Sequence, residues 1–133
     1  MADPTPVLDY VLASSAQISA WALAVAGGSV AAVLSTSYRR PSHLKWRFPY
    51  LLFIPGWSCI AYSLYSGNNL IGRFLASKMV QVEKLRDISS KINDLYDDQR
   101  NFLLYSLAFF GLWLVIYLVV WTFTEEFQTG DKK

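Results

Sequence analysis

The sequence predicts an all-α membrane protein with three transmembrane helices and one long amphipathic helix between the second and the third. Hydrophobic residues make up 53% of the 133-residue chain and charged residues 17%, whereas an ordinary soluble domain carries about 25% charged residues. A helix needs about 20 mostly apolar residues to cross the hydrocarbon core. Three intervals without a charged residue are long enough, and they lie between Asp9 and Arg39, Arg47 and Arg73, and Arg100 and Glu125.

These intervals predict spans at about 11–37, 48–67 and 102–124, within a single membrane domain that covers residues 1–133. The N-terminus carries no basic residue, so we expect the first span to be retained rather than removed as a secretory signal. The first loop is short and basic, and such loops stay on the cytoplasmic side. This places the N-terminus outside and the C-terminus in the cytoplasm, although residues 68–101 hold as many basic residues as the proposed inner side. The four basic residues of the loop are Arg39, Arg40, Lys45 and Arg47.

The first span carries small residues at every fourth position. Its central members are Ala20, Ala24, Gly28 and Ala32. Helices in lipid associate through close backbone approach rather than through a hydrophobic driving force, and small side chains permit that approach. We therefore expect a helix–helix contact along this ladder.

The third span carries aromatic residues at the same spacing, namely Tyr105, Phe109, Trp113, Tyr117 and Trp121. A ridge of rings fits a groove of small residues, and packing at this spacing favours a right-handed crossing of about −40°. Our hypothesis is that Phe109, Trp113 and Tyr117 pack on the small ladder, within one chain or between chains. Two alternatives remain open: the rings face lipid, or they line a pocket for a pigment, a quinone or a lipid.

The second span contains two prolines. Pro49 falls in the first predicted turn, where a missing N–H costs no hydrogen bond. Pro55 removes a hydrogen bond to the carbonyl of Leu51, which then needs another partner, such as Ser58, a neighbouring helix or a water. The sequence predicts a kink at residues 51–56, and Pro55 with Gly56 forms a static bend, a gating hinge or an unwound ion site. No carboxylate nearby in the sequence favours the ion site.

Residues 70–99 follow a helical pattern of apolar residues, which predicts the amphipathic helix. Asp87 and Lys91 are spaced for an i,i+4 ion pair, and Asp97 and Arg100 for an i,i+3 pair. This helix either projects from the membrane, continuing into the third span, or lies along the bilayer surface.

Few residues are candidates for catalysis, proton transfer or metal binding. The predicted spans contain no ionisable side chain other than Cys59 and tyrosines, which argues against a pump or a membrane-embedded acid–base enzyme. Phosphate-binding glycine loops and nucleophile motifs are absent from the sequence. Three acidic residues share a helical face at the start of the third span and could hold a cation, but a solvated acidic face also explains them. They are Asp94, Asp97 and Asp98.

The sequence therefore predicts a non-enzymatic integral membrane subunit or scaffold, without a cofactor, a metal or a nucleic-acid partner. Its expected partners are membrane lipids and either copies of itself or a larger membrane complex. The basic loop is a candidate site for anionic lipid headgroups, although topology alone also explains its charge. The alternative function is a small oligomeric channel whose pore is lined by the first span, because Ser15, Gln17, Ser19 and Ser29 are polar.

Overall fold

The computed structural model describes residues 5–37, 44–77 and 82–123, and it is helical throughout these ranges. The first helix, α1, covers Thr5–Ser37. A 3-10 helix over Leu44–Leu52 leads into α2, which covers Phe53–Ser77, and α3 covers Val82–Phe123. The predicted all-α class is confirmed for these ranges. Two segments are long and apolar enough to cross a membrane, Pro6–Thr36 and Asp87–Thr122.

The second predicted span differs from the observed helix. Pro55 lies in the first turn of α2 rather than in the interior of a spanning helix, because α2 begins at Phe53. The helix then continues beyond the predicted end through Asn68, Asn69 and Arg73. Among the helices of the described ranges, α2 does not meet the length and hydropathy expected of a spanning helix, so three spans are not confirmed.

The prediction of one helix over residues 70–99 is wrong. Residues 70–77 belong to α2 and residues 82–99 belong to α3, while residues 78–81 lie outside the described ranges. The physical reason is that Leu70, Phe74 and Ile92 bury one another, which a helical hairpin permits and one straight helix does not. Of the two alternatives for this segment, continuation into the third predicted span agrees with α3, which is unbroken from Val82 to Phe123.

The three helices form an up-down-up arrangement. The contact between α2 and α3 is the most extensive, and α1 packs on both. Ser15 of α1 hydrogen-bonds Gln99 of α3, and Ala22 lies in one cluster with Ile60 and Leu103. Both α1 and α3 therefore run in the same direction, and α2 runs against them. At 1.5 Å per residue α3 is about 63 Å long, roughly twice the hydrocarbon thickness of a bilayer.

Buried positions on α2 recur at alternating steps of three and four residues. This rhythm keeps one narrow stripe of the helix facing its neighbours and is typical of left-handed packing, with a crossing of about +20°. A constant step of four, on which the sequence argument for a right-handed crossing relied, drifts about 40° around the helix at each step. The stripe consists of Phe53, Gly56, Ile60, Ser63, Gly67, Leu70, Phe74 and Ser77, and Ser66 is buried beside it.

Candidate functional site

Gln99 is the centre of a polar layer that joins all three helices. Its side chain is fully buried. The amide Oε1 accepts a hydrogen bond of 2.6 Å from Ser15 Oγ, and Nε2 donates to the Ser15 carbonyl at 3.1 Å and to Ser19 Oγ at 3.0 Å. Ser63 Oγ of α2 donates to the Gln99 carbonyl at 2.7 Å. These bonds offset the cost of burying the amide, which is several kcal/mol when the group has no partner (about 2–7).

Gly67 allows α2 to approach this layer. A Cβ at this position would lie 2.5 Å from Gln99 Nε2 and 3.1 Å from Ser19 Oγ. Real Cβ atoms do not come so close to a fixed amide, so a side chain at position 67 would displace Gln99. Position 67 therefore requires glycine for close packing rather than for an unusual backbone angle.

A second polar contact joins α1 to α2. Trp57 Nε1 donates a hydrogen bond of 2.8 Å to Ser29 Oγ, which in turn donates to the Ala26 carbonyl at 2.7 Å. Together with Ser15 and Ser19, Ser29 belongs to the face that the channel alternative assigned to a pore. That face packs on α2 and α3 instead, whereas Gln17 is exposed.

The small-residue ladder lies on the other side of α1. Ala20, Ala24 and Gly28 are exposed and Ala32 is half-buried. A Cβ at Gly28 would meet nothing within 4 Å. The hypothesis that this ladder packs on the third span within one chain is wrong, because the buried stripe of α1 runs through Ala22. A contact between chains stays a prediction.

The aromatic ridge of α3 does not pack on the small-residue ladder of α1 within the chain. Trp113 is buried against α2 and the 3-10 helix: its ring centroid lies 4.9 Å from that of Phe53 and 5.8 Å from that of Tyr50. Tyr117 stacks on Trp113 at 5.4 Å, and Phe109 is half-buried. The ends of the ridge, Tyr105 and Trp121, are exposed.

Pro55 and Gly56 lie at the junction of the 3-10 helix and α2, within the segment where the sequence predicted a kink. Ser58 Oγ donates to the Ile54 carbonyl at 2.9 Å and not to the carbonyl of Leu51. A Cβ at Gly56 would lie 2.7 Å from Cζ of Phe110. The position is therefore a site of close packing between α2 and α3.

The charged candidates belong to the basic first loop and to α3. Arg39 and Arg40 fall outside the described residues, and Lys45 and Arg47 belong to the 3-10 helix, where their side chains are not described. Both predicted ion pairs are confirmed: Lys91 Nζ lies 2.8 Å from Asp87, and Arg100 lies 3.3 Å from Asp97.

The three aspartates of the acidic face, Asp94, Asp97 and Asp98, are exposed. Within the ranges that the structure describes, His, Cys, Asp and Glu side chains form no group of three or more that could hold a metal ion.

Sequence reasoning missed Gln99 and Gly67. The signal was present, because the apolar seam of Leu85, Ile88, Ile92 and Leu95 reaches Gln99 at the next step of four. A polar residue that continues such a seam is a candidate for a buried hydrogen-bonded layer. Gly67, in contrast, matters because it lies on the buried stripe of α2. The sequence alone does not show where that stripe runs.

Comparisons with protein-family models, with curated protein sequences and with solved structures find no match to this chain.

Proposed function

We propose that this chain is a non-enzymatic, multi-pass membrane subunit that assembles with other membrane helices. The proposal rests on how polar and apolar side chains are distributed between the interior and the outer surface of the bundle. Its interior holds hydroxyl and amide side chains, and its outer surface presents large apolar side chains. Buried polar residues of the described ranges are Ser15, Ser29, Ser63, Ser66, Ser77, Gln99 and Ser106. Outward apolar residues include Trp21, Leu23, Leu34, Ile54 and Val115, each more than half exposed.

Such a distribution favours lipid as the solvent. In water, an apolar surface of this extent would drive aggregation. In a bilayer the same surface faces acyl chains, and the helices are held together by small residues and hydrogen bonds. Both features occur together in the Gln99 layer and at Gly67.

A third span is part of the proposal. The second segment is long enough to span the membrane when it is counted from the level of Gln99 toward the 3-10 helix. Residues 53–65 of α2 cover about 18 Å, and residues 47–53 add about 12 Å in 3-10 geometry. Residues 47–65 therefore cover about 30 Å, the thickness of the hydrocarbon core. The N-terminus then lies outside and the C-terminus in the cytoplasm, because the basic first loop stays on the cytoplasmic side.

Assembly is proposed through the exposed ladder of α1. Ala20, Ala24 and Gly28 lie opposite the stripe of Ser15, Ala22 and Ser29 that packs within the chain. They leave a shallow, open surface that a helix of a second copy or of another subunit can approach closely. The channel alternative has no comparable support, because the polar face of α1 faces α2 and α3.

Mass measurement of the full chain in mild detergent tests the assembly. The native chain is expected as an oligomer or as part of a co-purifying membrane complex. Ala24→Leu is expected to dissociate it, while Ala108→Leu, a matched change at another exposed alanine, leaves it intact. A native chain that is a monomer at every concentration, with no co-purifying membrane subunit, would overturn the proposal.

A further inference from the structure

We infer that the bilayer surface crosses the bundle at the level of Gln99, and that the part beyond it stands in water as a three-helix extension. This inference rests on the membrane insertion proposed above and deepens it by naming the surface that meets the headgroups. The extension consists of residues 5–14 of α1, 68–77 of α2 and 82–98 of α3.

The contacts fix a common level on the three helices. Ser15 and Ser19 of α1 and Ser63 of α2 each bond to Gln99, and Gly67 packs against its amide. Distances along the bundle can therefore be counted from Gln99 at about 1.5 Å per residue. The extension then reaches about 26 Å from Gln99 to Val82.

On the extension side of this level the surface carries charged residues, among exposed apolar ones such as Leu75. The exposed charged residues of α3 begin at the layer itself and continue away from it, and α2 and α1 contribute one each. Charged side chains do not face hydrocarbon without a large cost, so this part lies in water. The exposed charged residues are Arg100, Asp98, Asp97, Asp94, Lys91 and Asp87 on α3, Arg73 on α2 and Asp9 on α1.

On the other side, beyond Arg100, the helices are free of charged residues over one bilayer thickness. Residues 15–37 of α1 cover about 33 Å and residues 101–123 of α3 also cover about 33 Å. The second segment covers about 30 Å before it reaches Arg47. All three match a hydrocarbon core of about 30 Å.

Exposed rings mark the boundary. Trp21, Tyr62, Tyr65 and Tyr105 come from all three helices and lie within about 10 Å of the Gln99 level. Amphipathic rings favour the headgroup region. Their position agrees with a membrane surface at this height.

Each side of this level has its own apolar cluster. In the extension, Leu70, Phe74 and Ile92 form one with Leu8, Val11 and Leu12 around it, as expected where water supplies a hydrophobic driving force. On the lipid side Ala22, Ile60 and Leu103 form the other, and hydrogen bonds between helices accompany it at Ser63 and Ser29. Such bonds and close packing hold helices together in lipid.

Thiol labelling of the full chain in lipid nanodiscs tests the inference, since both membrane faces are then open to water. In a Cys59→Ser background, two matched pairs of exposed positions are changed to cysteine: Gly72 and Ile54 on α2, and Asp94 and Leu114 on α3. A charged maleimide is the probe. Gly72→Cys and Asp94→Cys are expected to react at least about 100-fold faster than their partners, because the reactive thiolate is strongly disfavoured in hydrocarbon.

Two outcomes separate the inference from the proposed function. Slow labelling at Gly72→Cys and Asp94→Cys, in a chain that resists alkaline extraction from membranes, overturns the extension and leaves membrane insertion intact. Fast labelling at all four positions, in a chain that alkaline buffer releases, overturns both. Helical circular dichroism of each variant confirms that the labelling refers to the folded bundle.

Discussion

Gly67→Ala probes the closest approach between α2 and the Gln99 layer. The added methyl group would lie 2.5 Å from Gln99 Nε2 and 3.0 Å from Gln99 Cδ. Gln99 is fully buried and its amide is fixed by bonds to Ser15 and Ser19. The amide therefore has to move away from α2, and that movement breaks its bonds to α1.

The magnitude follows from the contacts. Three side-chain hydrogen bonds at about 0.6 kcal/mol each are at risk, which gives about 2 kcal/mol. Overpacking adds about 1–3 kcal/mol, and the better helix propensity of alanine returns about 1 kcal/mol. We expect Gly67→Ala to lower the free energy of unfolding by about 2–4 kcal/mol.

Gly72→Ala is the matched control, because it lies on the same helix and its added methyl group meets nothing within 4 Å. It should raise the free energy of unfolding by up to about 1 kcal/mol. The assay is unfolding of the full chain in mixed micelles with increasing SDS, followed by circular dichroism. Equal stability of the two variants would refute the close-packing argument. An unchanged cost of Gly67→Ala in a Gln99→Ala background would also refute it, because the nearest clash partner is then gone.

Three further predictions use the same assay. Trp57→Phe removes the donor to Ser29 and should cost about 1 kcal/mol; Ser29→Ala should cost a similar amount, and a fully additive double variant would contradict a shared bond. Gly56→Ala should destabilise the chain by about 1–3 kcal/mol through its clash with Phe110, and no loss of stability would contradict that packing. Lys91→Ala should cost less than about 0.5 kcal/mol, since both members of its ion pair are exposed, and a loss above 1 kcal/mol would show that the pair is shielded from water.

Charge-free intervals and local charge spacing were sufficient to predict much of the architecture. The all-α class follows from them, as do the two apolar helices and the ion pairs of Lys91 and Arg100. These features depend on residues close in sequence, whose positions on a helix are fixed by 3.6 residues per turn. A helix that continues into the third predicted span was one of two alternatives left open, because no proline or glycine interrupts residues 76–101.

Packing between helices was predicted less well. The regular steps of four through Ala24 and through Trp113 suggested that these two residues meet, yet a constant step of four leaves any single interface within a few turns. The residues that do meet, Gln99, Ser15 and Gly67, are distant in sequence, and each has an ordinary explanation when taken alone. The hairpin at residues 70–99 was missed because one continuous helical pattern does not show where the chain reverses.

The most direct test of the account is whether the outer surface of the bundle faces lipid. A spin label at Val115→Cys, a position 57% exposed in the bundle, is introduced in the Cys59→Ser background of the full chain reconstituted in bilayers. Its collision rates with oxygen, which concentrates in lipid, and with a water-soluble nickel chelate are compared. Collisions mainly with oxygen are the predicted result, and collisions mainly with the nickel chelate would contradict it.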